Sequence, residues 1–192
     1  MKKSIYELTK DDWNTLFPVA LVDHNPIWKE LYKQEEKRII DILGNAILRI
    51  EHFGSTSIPT IKAKPYIDII IEVSKEDLFE EHIIKSFASL GYVYFEVPKR
   101  DGIEAYMSFG KGYNLDGKKE QIYHIHMCPK DNYMWQQVDF RDYLNTHVDR
   151  AKAYEQLKVE SASKYKNDRG NYVLSKTDFV NETLAIIKNE LL

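Results

Sequence analysis

Residues 50–73 read IEHFGSTSIPTIKAKPYIDIIIEV, and this stretch contains the pattern from which the rest of the chain is interpreted. An apolar run ends in a turn of glycine and small hydroxyl residues at 54–57, and a basic loop leads into an apolar strand with Asp68 near its start. Glycine lets a backbone approach a ligand closely, and hydroxyl groups donate hydrogen bonds to phosphate oxygens. This order predicts a site that holds a phosphate beside a carboxylate. An ordinary surface turn is the alternative interpretation.

The composition is typical of a globular protein. Of the 192 residues, 43% are hydrophobic and 30% are charged, and the formal net charge is −3. This charge favours neither nucleic acid nor an anionic membrane as a partner, and no apolar run approaches the roughly 20 residues that span a bilayer. The single Cys128 excludes an intrachain disulfide, and the N-terminus lacks the apolar core of a signal peptide. The chain is therefore predicted to be cytoplasmic.

Hydrophobic periodicity predicts an α/β fold in which a mixed sheet is flanked by helices and followed by a helical tail. Strands are predicted at 19–22, 46–53, 66–73, 92–97, 104–110 and 121–128, with turns at 99–102 and 111–119. Helices are predicted to begin after the caps Asn25 and Ser74 and to end at Gly44 and Gly91. Further helices are predicted over 11–17, 132–138, 140–166 and 178–191.

Asp68 is the first candidate for chemistry. Three isoleucines follow it in the strand, and a carboxylate in such surroundings is costly unless it is paired, bound to a metal or placed at an exposed strand end. An acid that caps a neighbouring turn is an equally good interpretation. Glu72 faces the same side of the strand, but it lies about 13 Å from Asp68 along the strand and cannot share a metal with it.

The second candidate is the sequence YHIHM at 123–127. On a strand, His124 and His126 face the same way and lie about 6.6 Å apart, so they can bind one metal or clamp an anion when protonated. Half-exposed strand histidines are the alternative. If this strand lies beside that of Asp68, two imidazoles and a carboxylate meet on one face, and His52 is a possible fourth member of the group.

Two basic residues extend the predicted phosphate site. Lys64 stands in the loop before the Asp68 strand and could reach a phosphate over the turn, although a solvated loop lysine is the simpler interpretation. Arg141 stands near the start of a predicted helix and could also reach a bound phosphate. The residues predicted to contact phosphate or nucleotide are Gly54, Ser55, Thr56, Ser57, Lys64 and Arg141.

These segments resemble the GrpB family. The matching sequences are DHNPIW at 23–28, EHFGSTSIP and AKPYIDIIIEV within 51–73, YHIHM at 123–127, and FRDYL with AYEQLK within 140–158. The resemblance extends from about residue 19 to the C-terminus. It implies one domain over 19–192, preceded by an N-terminal extension over 1–18, and the mixed, helix-flanked sheet of the nucleotidyltransferase superfamily.

The superfamily pattern has an apolar residue before Gly-Ser, a short spacer and a strand with two acids separated by one residue. Here Phe53-Gly54-Ser55 is followed by 12 residues and then Asp68, but Ile70 stands where the second acid is expected. In the superfamily the turn holds nucleotide phosphates and the acids hold a divalent metal. The third acid would fall where the two histidines stand, and a set of one carboxylate and two imidazoles suits Zn²⁺ or Mn²⁺ better than Mg²⁺.

The resemblance and the residues together predict a divergent nucleotidyl- or phosphoryl-transferase that binds a nucleotide or another phosphate-bearing small molecule. In this hypothesis Asp68, His124 and His126 bind a divalent metal or move a proton, and the turn at 54–57 holds phosphates. The alternative is a binding module that keeps the pocket without catalysis and senses a nucleotide or small anion. Ile70 favours the binding module, whereas the carboxylate and imidazoles favour the enzyme.

Overall fold

A computed structural model describes residues 4–100, 102–116 and 118–190, and within them a five-stranded mixed sheet forms the centre of the fold. The spatial order of its strands is β1-β2-β5-β4-β3. Strands β2 and β5 run parallel, and the other neighbouring pairs run antiparallel. The strands are β1 (Arg49–Phe53), β2 (Tyr66–Glu72), β3 (Val93–Val97), β4 (Tyr106–Lys111) and β5 (Ile122–Cys128).

Helices cover both faces of this sheet, which confirms the predicted mixed α/β fold class. Short 3₁₀ turns form at Ile5–Glu7, Gly44–Ala46, Ser55–Ser57 and Tyr133–Trp135. The helices are α1 (Lys10–Leu16), α2 (Ile27–Leu43), α3 (Glu81–Ser89), α4 (Gln136–Thr146), α5 (Val148–Lys164), α6 (Arg169–Leu174) and α7 (Thr177–Glu190). Among these described helices, none is long and apolar enough to cross a membrane.

The side chains of β2 alternate between the two faces of the sheet, and this alternation divides the core into two parts. Ile67, Ile69 and Ile71 are fully buried and pack in one cluster with residues of α2 and α3. Ile70 points to the opposite face, where it packs with Phe53 and with residues of α4. Burying an isoleucine stabilises a fold by about 1.5–3 kcal/mol, so β2 is covered on both faces as its apolar sequence predicts.

Local signals place several helix ends correctly. Thr9 and Asp12 form a capping box at α1, since Thr9 Oγ1 accepts from the Asp12 N–H at 3.2 Å. Asn25 Oδ1 accepts from the Ile27 N–H at 3.1 Å at the start of α2. Gly44 ends that helix with a φ of +52°, which glycine tolerates better than other residues.

Other predicted boundaries were wrong. The segment 19–22 forms no strand and makes only an isolated bridge between Val22 and Ala63. The strand predicted at 46–53 begins at Arg49, because a 3₁₀ turn occupies its first residue. The predicted bond between Ser74 Oγ and the Asp77 N–H forms at 3.1 Å, yet α3 begins only at Glu81 because the backbone of Phe79 has a positive φ of 70°.

The helical tail breaks at a different place from the one predicted. Helix α4 continues through Asp139, and the chain turns at His147, whose backbone leaves the helical region. Helix α6 was not predicted; Asp168 caps it by accepting from the Asn171 N–H at 3.1 Å. Residues 1–3 of the predicted extension and Leu191 of the last predicted helix lie outside the described residues, as do Asp101 and Gly117 of the predicted turns.

The segment 4–17 packs against the sheet near the start of β2 and β5. Phe17 is buried with Tyr66 and Ile122, and its ring centroid lies 4.8 Å from that of Tyr113. Trp13 also contacts Tyr113, with ring centroids 5.1 Å apart. These contacts cover the end of the sheet at which Asp68 lies, so this segment helps to enclose the candidate site.

Candidate functional site

The parallel pairing of β2 and β5 brings Asp68 beside His124. In this register Asp68 is opposite His124, and Ile70 is opposite His126. The Asp68 Oδ1 and His124 Nδ1 atoms lie 3.3 Å apart, and each side chain is 26% exposed. The carboxylate and the nearer imidazole therefore form a hydrogen-bonded pair that is partly open to a ligand.

Gly54 packs directly against Asp68. Its φ is +71° and its ψ is −173°, a region that is essentially restricted to glycine. A Cβ atom built on Gly54 would lie only 2.4 Å from Asp68 Oδ2. The glycine of the turn is therefore needed both for the backbone conformation and for the close approach of the carboxylate.

The three hydroxyl residues of the turn have different roles. Ser57 Oγ donates to the Gly54 carbonyl at 2.6 Å, which closes the turn on itself, and the Ser55 side chain hydrogen-bonds to Tyr154. Thr56 is only 2% exposed, and its hydroxyl donates to the Tyr66 carbonyl at 2.9 Å. In this structure the Thr56 hydroxyl supports the turn, and its role in phosphate binding stays a prediction.

His126 is more deeply enclosed than His124. Its ring packs between Phe53 and Tyr106, with centroid distances of 5.4 and 5.6 Å. Within the described chain its Nδ1 atom is buried and has no hydrogen-bond partner. Burial lowers the pKa of His126 to about 4, although the Asp68 carboxylate acts in the opposite direction. The imidazole is therefore neutral at pH 7.

The predicted metal ligands do not fit a shared metal ion. In the described ranges, no group of three or more His, Cys, Asp or Glu side chains is arranged to hold one. Asp68 already contacts His124, and Ile70 is fully buried at the position where a second carboxylate is expected. Mg²⁺ prefers oxygen ligands, and a site with one carboxylate offers it few of them. The chemistry proposed for this site therefore involves no metal.

His52 does not join this group, contrary to its predicted membership. It pairs with Ile69 in the β1–β2 register, and its side chain stacks on Tyr32 with ring centroids 4.9 Å apart. Its Nε2 lies 3.0 Å from Thr56 Oγ1. Side chains alternate along a strand, so His52 lies on the α2 side of the sheet, away from Asp68.

Arg141 is also placed away from the carboxylate. Its Nη1 donates to Glu51 Oε2 at 3.0 Å and to the His52 carbonyl, and its Nη2 lies 2.8 Å from Asp142 Oδ1. These two acids already compensate the guanidinium charge. The predicted role of Arg141 as a phosphate ligand beside Asp68 is therefore not supported by its position, although it lines a small cavity next to Gly54.

Lys64 lies close to Asp68 and is not a solvated loop lysine. Its Nζ lies 4.7 Å from the centroid of Tyr66 and 5.8 Å from that of Tyr172. Burial lowers the pKa of Lys64 to about 7, and the charges of Arg169 and Lys176 act in the same direction. The amine is therefore held in an aromatic, cation-rich environment in which an anion would be stabilising.

Two further lysines that sequence reasoning missed complete this environment. Lys176 Nζ lies 4.1 Å from the centroid of Tyr172, and burial lowers its pKa to about 8. Lys158 is only 1% exposed, donates to the Lys62 carbonyl, and has a pKa lowered to about 7 by burial. Lys64, Lys158 and Lys176 are together called the lysine cluster below.

A sequence signal for Lys158 exists. Ala151, Tyr154, Lys158 and Ser161 are the buried residues of α5, and their spacing of three, four and three residues defines one helical face. A lysine in such a stripe, one turn after a tyrosine, indicates a buried amine. Lys176 carries no such signal, because it lies between α6 and α7 and is buried only by tertiary packing.

Asp68 is ionised in this setting. Burial acts to raise the pKa of its carboxyl group, but the hydrogen bond with His124 and nearby positive charge, including that of Lys64, outweigh it and lower the pKa. The site thus combines a glycine turn, one ionised carboxylate, the buried amine of Lys158 and the partly buried amines of Lys64 and Lys176. This arrangement suits an anion that contacts the amines while the carboxylate accepts a proton or a hydrogen bond.

Comparison with known proteins shows what the chain is similar to. A family model described as GrpB protein matches residues 18–185. The glutamate-rich protein GrpB of Alkalihalophilus pseudofirmus is 36% identical over 167 residues, which cover 86% of this chain and 94% of that protein. The crystal structure of conserved protein GrpB from Enterococcus faecalis has a TM-score of 0.73 at 25% identity, covering 90% of this chain and 99% of that one.

A more distant structure shares the fold. A cytoplasmic RNA terminal U-transferase matches with a TM-score of 0.50 and 9% identity, covering 76% of this chain and 43% of that chain. At this identity the likeness concerns the fold alone. It confirms the predicted nucleotidyltransferase-like architecture of the sheet and its helices.

Proposed function

The chain belongs to the GrpB family, and from that premise we propose that it binds a nucleotide or another small phosphate-bearing molecule between the turn at 54–57 and the lysine cluster. The observation that carries this proposal is the convergence of Lys64, Lys158 and Lys176 around Tyr172 and Tyr154 beside the Gly54 turn. A nucleotide ligand agrees with the cytoplasmic location predicted from the sequence.

The cost of placing three amines close together, one buried and two partly buried, supports an anionic ligand. Bringing ammonium groups out of water is unfavourable, and like charges near one another add to that cost. Throughout the described chain, no carboxylate lies within salt-bridge distance of these three amines. A polyphosphate would supply the missing negative charge, and each amine would donate a charge-assisted hydrogen bond to it.

The pH dependence of binding tests the cluster directly. We expect the affinity for ATP to fall at least tenfold between pH 7.5 and 9.5, measured by isothermal titration calorimetry. The triphosphate is fully ionised over this range, whereas lysines with pKa values of about 7 and 8 lose their protons and must regain them on binding. Ordinary lysines with a pKa of about 10.4 would leave the affinity nearly constant below pH 9.

The stability of the unliganded fold should show the opposite trend and rise with pH. Between about pH 7 and pH 10 the folded lysines are neutral while the unfolded ones still hold protons, so the unfolded state binds more protons and stability rises with pH. ATP affinity that stays constant to pH 9.5 would contradict the assignment of these amines to the ligand.

Replacing the buried amine of Lys158 gives the sharpest test of the proposed site. We expect Lys158→Met to abolish the rise in melting temperature caused by ATP or UTP, while the unliganded variant melts at the same or a higher temperature. The reason is that an apolar side chain of similar volume removes the desolvation cost of a buried ammonium group and also removes its bond to phosphate. Thermal-shift measurements with EDTA, Mg²⁺, Mn²⁺ or Zn²⁺ check both expectations, since a bound ligand stabilises the native state.

The matched control is Lys152→Met, because Lys152 is an exposed lysine of the same helix. It should retain the full nucleotide shift. A nucleotide shift that survives in Lys158→Met, or that disappears equally in Lys152→Met, would rule out the proposed binding mode.

A second function, nucleotidyl or phosphoryl transfer, is favoured by one specific observation. The Asp68 carboxylate lies 3.3 Å from an imidazole nitrogen of His124 and next to the turn, where it could accept the proton of an attacking hydroxyl group. Incubation of the same samples with radiolabelled nucleotide separates the two functions. Turnover that Asp68→Asn removes would establish an enzyme, and binding without turnover would establish a binding module.

A further inference from the structure

A cavity lies at the free edge of the sheet, and no lysine of the cluster lines it. It has a volume of about 610 Å³ and is enclosed by the start of α2, the second half of α4 and the turn at 54–57. Strand β1 forms this edge of the sheet. Thr56 and Ser57 line the cavity, whereas Asp68 and the three lysines do not. Its volume falls within the range of small-molecule sites, about 300–1,000 Å³.

The inner wall of this edge cavity is flat and apolar. The imidazole of His52 is stacked on Tyr32 with an interplanar angle of 16°, and Pro26 and Pro59 lie on either side of the opening. Burial lowers the pKa of His52 to about 4, so the ring is uncharged at neutral pH. A neutral stacked ring offers a planar surface that suits the face of another planar group.

One buried polar atom in the edge cavity has no partner. His24 Nδ1 is buried and makes no hydrogen bond within the described parts of the chain. The His24 ring is fixed edge-on against Trp28, with centroids 5.1 Å apart, and burial lowers its pKa. The ring of His24 therefore contributes an apolar, uncharged surface to the cavity wall.

The rim of the edge cavity has one uncompensated positive charge. Lys33 is paired with Glu36 at 2.6 Å. Arg141 and Arg49 pair with Glu51 at 3.0 and 3.1 Å, and Arg141 also pairs with Asp142, so these two cations and two acids cancel. Lys29 also lines the cavity, and none of the described acids forms an ion pair with it. One uncompensated amine at the mouth of an apolar cavity favours a ligand with one negative charge.

From these features we infer that the edge cavity is a second ligand site, for a small organic monoanion with a planar apolar body, such as an aromatic carboxylate. The ring lies against His52, and the carboxylate lies at Lys29. This site shares the turn at 54–57 with the nucleotide site proposed above, but it contains Lys29 and none of the three lysines of the cluster.

The test uses nicotinate and benzoate as probes, with nicotinamide and benzamide as neutral counterparts of the same shape. Each is titrated into the ¹⁵N-labelled full-length protein and followed by two-dimensional NMR. We expect the acids to shift the amide signals of Lys29, Ser57 and Asn145, and to bind at least fivefold more tightly than the amides. Lys29→Met should remove this preference, whereas Lys37→Met, on the same helix outside the cavity, should retain it.

Two further variants separate this inference from the proposed nucleotide site. Asn145→Trp, which places a large ring at the mouth of the cavity, should block all four probes. Lys158→Met should leave the probe titrations unchanged, because it alters only the lysine cluster. The inference is overturned if acids and amides bind equally, if Lys29→Met binds nicotinate as the unmodified protein does, or if the shifted signals surround Lys64 and Lys176 instead.

Discussion

Replacing Gly54 with alanine is expected to destabilise the fold by about 3–5 kcal/mol, which is a large part of the 5–15 kcal/mol that stabilises a typical domain. Two effects combine at this position. A residue with a Cβ atom costs about 1–3 kcal/mol in the backbone region that Gly54 occupies. In addition, the new methyl group would lie 2.4 Å from Asp68 Oδ2 and 3.0 Å from its Cβ, so the strand carrying the carboxylate has to move. Urea unfolding of the variant measures the loss.

Gly44 provides the matched control for this substitution. It also has a positive φ, of 52°, but a Cβ atom built there meets nothing within 4 Å. We expect Gly44→Ala to lose only the backbone contribution, about 1–3 kcal/mol. The difference between the two variants isolates the contact with Asp68, and adding Asp68→Ala to the Gly54 variant should recover part of it. Equal losses at Gly44 and Gly54 would show that this contact does not matter.

Replacing Glu35 with alanine is expected to cost about 3–5 kcal/mol, because it leaves buried polar groups without a partner. Glu35 is fully buried on α2. Its carboxylate accepts from Tyr92 Oη at 2.9 Å, from Lys111 Nζ at 2.7 Å and from Arg38 Nη1 at 3.1 Å. These bonds join α2 to β4 and to the residue before β3, so their loss loosens the helix that forms one wall of the edge cavity.

An exposed ion pair serves as the control for Glu35. Glu81 and Lys85 are one turn apart on α3, 2.9 Å from each other, and their side chains are 80% and 70% exposed. Pairs of this kind contribute about 0.3–0.5 kcal/mol, so Glu81→Ala should change the midpoint of urea unfolding very little. A loss below about 1 kcal/mol in Glu35→Ala would mean that water reaches Lys111 and Tyr92 and replaces the carboxylate.

The pattern in residues 50–73 was sufficient to predict the core of the fold. The turn, the buried β2 strand and the spacing to Asp68 depend on local signals: a glycine in a region that other residues avoid, and an apolar run that is buried on both faces. The same holds for the capping box at Thr9 and for the end of α2 at Gly44. Such features are fixed by interactions between residues close in sequence, and the structure confirms them.

Features that depend on distant contacts were placed less well. The helical tail breaks at His147, and neither a glycine nor a proline stands there to mark the end of a helix. Arg141 was assigned to a phosphate because it is basic and near a helix start, but Glu51, 90 residues away in sequence, takes its guanidinium. A partner at that separation leaves no local signal.

The sequence by itself determined the mixed α/β architecture and the strand on which Asp68 stands, because periodicity and turn chemistry act over a few residues. Its motifs resemble those of the GrpB family, and the match of the family model confirms that resemblance. Only the tertiary structure decided which groups surround that carboxylate. The register of β2 against β5 places His124 beside it and turns Ile70 into core, and the packing of the tail brings Lys158 and Lys176 next to Lys64. Burial then lowers the pKa values of these amines. This effect depends on the removal of water, which no single segment of the chain achieves alone.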